Sequence, residues 1–428
     1  MIIDAQTHEG AYLMNETINR RRLLQGAGAV AASAALINAP HFNRLASAQD
    51  QIKLTWWDYM SGANGDALDA QLASYVSANP NVNIERTYIP FADLKQKLLQ
   101  GAAAGDLPDV VIIDNPDHQA FAALGVLEDL TDRVTAWGQA STYFEGPWNS
   151  TVFEGKNYGI PDNSNCLVLW SNDELLAAKS VTVPTNWDEL TAAVTALSSG
   201  DVYGLAVSAI KSEEGTFQWL PFLWATGADI PTIDSDGGRK ALQLWTDYVN
   251  NGWMSKSILN WTQSDILTQF ETGKAAMMVN GPWQIPVIKS DVPDMKWSVA
   301  TLPVDAQGAS ILGGENTAIV AGGKNVDAAW DLLAWRQTDD VLKKYLLDAG
   351  KLPSKASLAQ DEAWTGDPVI NVFIEQLKVA KPRAYGDKYP DISAAIQDAI
   401  QGAVSGQTSV EDALKKAQAT ITPLLPQG

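Results

Sequence analysis

Apolar and polar residues alternate along Ile52-Lys53-Leu54-Thr55-Trp56-Trp57, which predicts a strand. A loop over 58–65 follows. Leu68, Leu72, Tyr75 and Val76 then recur at helical spacing and predict a helix over 66–78. Asn79-Pro80-Asn81 stops that helix, and Val82-Asn83-Ile84 begins a second strand. A helix is expected over 91–104, closed by the turn Gly105-Asp106-Leu107-Pro108. The run Val110-Val111-Ile112-Ile113 is uniformly β-branched, as suits a central strand buried on both faces. A helix over 119–124 and a turn at Gly125 come next.

This β-α-β-α-β order predicts an α/β fold, with a mostly parallel sheet and helices on both faces. Such sheets bind ligands beyond the carboxyl ends of their strands. Here those ends are Trp57-Asp58-Tyr59 and Asp114-Asn115. A second α/β pattern starts at Cys166-Leu167-Val168-Leu169-Trp170. Helices over 187–197, 217–226 and 239–250 and strands over 203–207 and 275–279 continue it. Another strand is expected at Ala318-Ile319-Val320, after Gly313-Gly314. The chain beyond Asn325 reads as mainly helical and ends in an amphipathic helix over 410–421. No repeat and no low-complexity linker separates the two patterns, so several chain crossings should join two lobes.

The start of the chain departs from this pattern and calls for a different reading. Arg20-Arg21-Arg22 precedes Leu23-Leu24 and an uncharged, Ala- and Gly-rich run to Asn43, with Ala46-Ser47-Ala48 beyond it. Basic, apolar and small-residue segments in that order predict a secretory signal cleaved near Ala48/Gln49. Arg20-Arg21-x-Leu23-Leu24 resembles a twin-arginine signal, although Asn19 stands where Ser or Thr is usual. Met14 offers an alternative start. A membrane anchor is the competing reading, but the run is short and glycine-rich beside the roughly 20 apolar residues a span needs. No Cys lies near residue 49, so a periplasmic protein free of a lipid anchor is expected.

Removing residues 1–48 leaves about 380 of 428 residues, more than one core usually holds. The 46% apolar and 19% charged content is that of an ordinary globular protein. A formal charge of −20 argues against nucleic acid and anionic membranes, both of which need a basic footprint. The single cysteine, Cys166, forbids an internal disulfide and reads as a small buried hydrophobe. Of three histidines only His118 lies beyond the leader and its flank, where a surface or pocket-rim position is expected. With one His and one Cys, metal centres built on those ligands are excluded. There is no GxxxxGK[ST] loop and no GxSxG elbow. A glycosidase carboxylate pair stays open, because spacing in sequence does not report distance in space.

The positive signal is aromatic. Sixteen tryptophans are present, several at strand ends and turns, among them Trp57, Trp224, Trp261 and Trp283. Sugar rings present C–H faces that pack on aromatic rings, and their hydroxyls need Asp, Glu, Asn, Gln or Arg partners. Both residue types meet in Trp57-Asp58-Tyr59, Asp162-Asn163-Ser164-Asn165, Asn280-Gly281-Pro282-Trp283 and Gly314-Glu315-Asn316. The candidate ligand-binding set is Trp57, Tyr59, Asp114, Asn115, Asp162, Asn163, Trp219, Trp224, Trp261, Asn280, Trp283, Gly314, Glu315, Asn316 and Arg383. For any one tryptophan, core packing is an equally good reading.

The chain resembles the family 1 extracellular solute-binding proteins of ABC importers, the group that includes maltose-binding protein. The resemblance is carried by the run from Gly273-Lys274-Ala275-Ala276 through Met277-Met278-Val279-Asn280 to Gly281-Pro282-Trp283, and by the tail Ser405-Gly406-Gln407-Thr408-Ser409-Val410-Glu411-Asp412-Ala413-Leu414. Leu107-Pro108-Asp109, Gly125-Val126-Leu127, Tyr158-Gly159-Ile160-Pro161 and Leu352-Pro353-Ser354 support it in the same order. It implies a two-lobe periplasmic-binding-protein fold around a cleft that closes on its ligand. The N-terminal lobe would comprise 49–160 plus 313–360, and the C-terminal lobe 161–312 plus 361–428. Crossings are implied near 161–163, near 312–314 and between about 350 and 365. Trp283 falls where the family stacks tryptophan on sugar, and Glu315 and Asn316 become polar partners.

Two departures stand out. The family's Asp-Arg pair is replaced by Asp114-Asn115-Pro116-Asp117, and a stacking tryptophan falls near Ser393. A sugar other than a maltodextrin is therefore expected. The implied partners are a carbohydrate ligand and the transmembrane permease subunits, for a monomer that carries no cofactor and catalyses nothing. The alternatives are a binding protein for a polyamine or phosphorylated polyol, and a secreted carbohydrate-active enzyme.

Overall fold

Ten of the twelve strands among the described residues position the site. They are β1 (Ile52–Asp58), β2 (Val82–Tyr88), β3 (Val110–Asp114), β4 (Ile160–Pro161), β5 (Val168–Asn172), β6 (Met277–Asn280), β7 (Trp297–Ala300), β8 (Ser310–Leu312), β9 (Glu315–Ile319) and β10 (Ala380–Pro382). The computed structural model describes residues 51–426; the expected leader and its cleavage site lie outside them. One sheet has the order β2-β1-β3-β9-β4, another β6-β5-β7, and β8 pairs with β10. The four apolar residues of β3 are all buried, as the β-branched run predicts for a central strand.

Strand direction is mixed where a mostly parallel arrangement is expected. The β2-β1-β3 part is parallel, as is β8 on β10. Strand β9 runs antiparallel to both β3 and β4, and β5 runs antiparallel to β6 and β7. The chain reaches β9 after the long excursion through the second sheet, so it enters the first sheet from the end at which β3 leaves. That reversal sets Glu315 opposite Asp114. The strand expected over 203–207 is reduced to two parallel bridges, Tyr203 to Ala275 and Ala206 to Met278.

Five helices matter for the site: α1 (Gly62–Ala78), α2 (Phe91–Ala104), α3 (Asn115–Ala123), α4 (Glu213–Ala225) and α5 (Gln263–Glu271). Helix α2 coincides with its expected range, whereas α1 and α3 begin four residues early. Helix α4 is buried on every side. Ser212 caps its start by accepting the Glu214 N–H, and two acidic residues occupy its first turn, where the helix dipole favours negative charge. Cys166 is buried, as expected. His118 is buried as well, not at a rim, and burial pushes its imidazole down to about 3, so it stays neutral.

The three segments where crossings are expected lie side by side. Asn165 N–H donates to the Gly313 carbonyl at 3.0 Å and Ser164 N–H to the Leu352 carbonyl at 2.8 Å. Gly314 has φ +146°, and a Cβ there would sit 2.3 Å from the Asn163 carbonyl oxygen. Only glycine fits that close passage of backbones. Gly314→Ala is expected to lower folding stability by about 1–3 kcal/mol, the scale of a forced backbone conformation. Urea unfolding measures it, and an unchanged midpoint would show that the crossing relaxes freely.

Candidate functional site

A cavity of about 630 Å³ opens where β1, β3, β9, α4 and α5 converge, a volume in the range of small-molecule sites. Tyr59 follows β1, Asp114 ends β3, and Gly314-Glu315 begins β9, so the first sheet delivers three polar segments to one rim. Helix α4 supplies Glu213, Glu214 and, one turn on, Phe217. Trp283 closes another side, its ring 6.4 Å from that of Phe217. Tyr59 packs edge-on against Phe91 at 4.9 Å. A second cavity of about 360 Å³ adjoins, sharing Tyr59, Phe91, Ala92, Asp114 and Glu213.

Five of the expected residues line the main cavity: Tyr59, Asp114, Trp283, Gly314 and Glu315. Four others stand directly behind that wall. Arg383 donates from Nη1 to Asp114 Oδ2 at 2.9 Å and to Glu213 Oε1 at 2.7 Å. From Nη2 it reaches Asp114 Oδ1 at 3.1 Å and Asn115 Oδ1 at 3.0 Å. Its guanidinium also covers the Phe217 ring at 4.7 Å. Asn163 donates its amide to Glu315, whose other partner is Lys351 Nζ at 2.8 Å. Asn280 donates to the Gln263 carbonyl at 3.0 Å and so fixes the start of α5.

The remaining six are placed elsewhere, each for a physical reason. Trp219 and Trp224 are fully buried in the core around α4, because a helix packed on all faces turns its tryptophans inward. Trp261 is half-buried between two core clusters. Trp57 lies two residues before Tyr59 on the same side of β1, roughly 6–7 Å short of the rim, with Lys97 over its ring. Asp162 is consumed by a buried pair with Arg336 at 2.9 Å and by Gln337. Asn316 accepts from and donates to Ser150.

Several lining residues carry no distinctive mark in the sequence: Glu213, Glu214, Phe217, Asn64, Gln263 and Lys351. The available signal was Ser212 before two glutamates, which marks a helix start, but acidic first turns are common. Ser393, where the resemblance places an aromatic, is buried beneath Glu213, to which it donates. No ring can stack there.

Burial dominates the electrostatics. It pushes Asp114 up to about 7 despite the opposing Arg383 charge. It pushes Glu214 up to about 7 despite the Gln263 N–H. Both groups bind a proton more tightly in the folded chain than unfolded, where such carboxyls titrate near about 4. Their contribution to stability is therefore full below about pH 4 and is lost as pH rises through about 7. Asp129 opposes them: its hydrogen bond from Lys156 pulls it down to about 2, so its contribution is lost only as pH falls toward that value. The unfolding temperature is expected to peak near about pH 5 and to fall toward about pH 8. A flat or rising profile in that window, measured by scanning calorimetry, would contradict the buried placement of Asp114 and Glu214.

Residues 70–371 match the family model described as bacterial extracellular solute-binding protein. A maltotriose-binding protein of Pyrococcus abyssi is 25% identical over 86% of this chain and 82% of its own length. The crystal structure of an ABC transporter solute-binding protein from Thermotoga lettingae, bound with α-D-tagatose, superposes with a TM-score of 0.83. It is 26% identical and covers 88% of this chain and all of that one. A cyclic α-maltosyl-1,6-maltose binding protein from Arthrobacter globiformis is 27% identical with a TM-score of 0.70, over 88% of this chain and all of its own.

Proposed function

The chain belongs to the family of bacterial extracellular solute-binding proteins, and we propose that it captures a carbohydrate for an ABC importer. The fold is the two-lobe α/β fold of its structural relatives. The observation that carries the carbohydrate reading is the lining of the main cavity. There the rings of Trp283, Phe217, Tyr59 and Phe91 stand beside the hydrogen-bonding groups of Asp114, Asn165, Glu214 and Gln263. Flat apolar faces next to carboxyl or amide groups suit a ring that is apolar above and below and hydroxylated at its edge. Relatives that bind tagatose and maltotriose support the same reading.

With lobes divided at 49–160 plus 313–360 and 161–312 plus 361–428, Asp114 and Tyr59 face Glu214, Phe217 and Trp283 across the cleft. A ligand touching both walls binds only the closed arrangement well, so capture and closure are one equilibrium. The side-by-side crossings at 163–165, 313–314 and 352 would act as its hinge, with Gly313-Gly314 taking up the dihedral change. The closed lobes would present themselves to the transmembrane permease subunits. The protein would act outside the cytoplasm as a monomer, exported by the basic leader and freed by cleavage near Ala48, with no chemistry of its own. Expected affinity lies between micromolar and tens of nanomolar, about −8 to −10 kcal/mol.

A thermal-shift screen of the purified protein tests this against mono- and oligosaccharides, polyols, amines and anions. A tight ligand raises the melting temperature by mass action. The reading predicts the largest shift with a sugar. Shifts confined to phosphorylated polyols or other anions would replace it, and turnover of a glycoside would move the protein to another class.

A further inference from the structure

The wall of the main cavity is strongly acidic. Asp114, Glu213, Glu214, Glu271, Asp291 and Glu315 all border it, and Lys351 is the one cation among its lining residues. Two basic groups are already committed. Arg383 is divided between Asp114 and Glu213, and Lys351 is held by Glu315 at 2.8 Å. Glu214 has no cation within the described residues. It is only 9% exposed; its Oε2 accepts the Gln263 N–H at 2.5 Å, while its Oε1 makes no hydrogen bond among the described residues and keeps some exposed surface. An uncompensated carboxylate at such burial is costly, and a nearby positive charge is what relieves it.

A second observation is independent of the carboxylates. Asn64 and Asn165 also line the cavity, 9% and 5% exposed, and the side-chain oxygen of each lacks a hydrogen-bond partner among the described residues. Asn165 sits beside Phe217, one turn along α4 from Glu214: a Cβ built on Gly313 would lie 2.1 Å from its Oδ1 and 2.8 Å from the Phe217 ring. Asn64 donates its amide to the Trp283 carbonyl at 3.2 Å, so its oxygen is the atom left over. Buried acceptors without donors call for a donor, which a ligand in the cavity or an ordered water can bring. A hydroxyl brings one donor; an ammonium brings three and the missing charge.

We propose that the ligand is an amine-bearing sugar whose protonated amine is seated against Glu214. The inference rests on the carbohydrate reading and narrows it. The aromatic walls take the ring faces, and Glu214 selects the charged member of any pair of sugars that differ by amine and hydroxyl. Burial holds Glu214 up at about 7 in the free protein, so it must give up its proton as the ammonium arrives. Affinity for the amine therefore rises from about pH 5.5 to about pH 7. The carboxyl groups near Glu214 or around the same cavity are Glu213 on its own helix, Asp265 at the start of α5, and Asp114, Glu271, Asp291 and Glu315 along the wall. All of these are acids; the cations nearby are Lys351, held by Glu315, and Arg383, held by Asp114 and Glu213.

Calorimetric titration with matched hexoses decides it: glucose, galactose and mannose, their 2-amino and N-acetylamino counterparts, and the corresponding disaccharides, with spermidine as a chain amine. The amine member of at least one pair should bind about tenfold or more tightly than its neutral and acetylated partners at pH 7. That advantage should shrink about fivefold or more at pH 5.5, and Glu214→Gln should abolish it, so that the variant binds the amine no more tightly than the neutral partner. Should E214Q fail to fold, the pH dependence of the native protein answers the same question. Neutral or acetylated sugars binding as tightly as their amine partners would overturn the amine seat and leave the carbohydrate reading standing. Spermidine binding with no sugar of any kind, or no binding across the whole panel, would overturn both.

Discussion

Replacing Arg383 by methionine is expected to cost the folded protein about 3–5 kcal/mol, the penalty for leaving buried charge without its partner. Arg383 is 5% exposed and makes four charge-assisted bonds, which tie the end of β3 to the start of α4. Methionine can keep the contact with Phe217 but gives Asp114 and Glu213 nothing to replace the guanidinium. The loss should depend on pH in a definite direction. Asp114 is already pushed up by burial, and without Arg383 it loses the interaction that opposes that push. It will then take up a proton more readily, so the penalty is largest near about pH 8 and smaller near about pH 5. Urea unfolding at the two pH values measures both statements. A penalty below about 1 kcal/mol at both would mean that the cluster is open to water in solution.

Trp283→Ala is expected to weaken sugar binding by about one to two orders of magnitude, roughly 1.4–2.7 kcal/mol. Trp283 reaches the cavity because β6 ends at Asn280 and Pro282 starts a short turn that swings the ring onto Phe217. Its loss removes aromatic area against the ligand and leaves the core of α4 intact. The melting temperature of the free variant should therefore stay near that of the native protein, while the sugar-induced shift shrinks. A folded variant with undiminished affinity would take Trp283 out of the site.

The layout of the fold was written in periodicity, and that is why it could be read. The β-branched run over 110–113 lies within β3, which extends one residue further, and the expected helices over 91–104 and 410–421 appear in the structure with those bounds. Direction within the sheet was not written there, since β9 is antiparallel only because of where the chain has been in between. At the site, strand ends were legible: Tyr59, Asp114 and Gly314-Glu315 all reach the cavity. Trp219 and Trp224 were not separable from Trp283 by composition, because a helix buried all round gives its tryptophans no outward face. Asp162 has the residue type of a ligand partner, but Arg336, 174 residues away, holds it. Glu214 is hidden for the opposite reason: nothing local sets one acid apart among 50 acidic residues.

The most direct test of sugar capture in this cleft is calorimetric titration of the purified protein with the sugar that most raises its melting temperature. The expected result is one site per chain, with affinity between micromolar and tens of nanomolar. Sugar titrations without heat or saturation, alongside tight binding of a non-carbohydrate solute in the same cell, would contradict it.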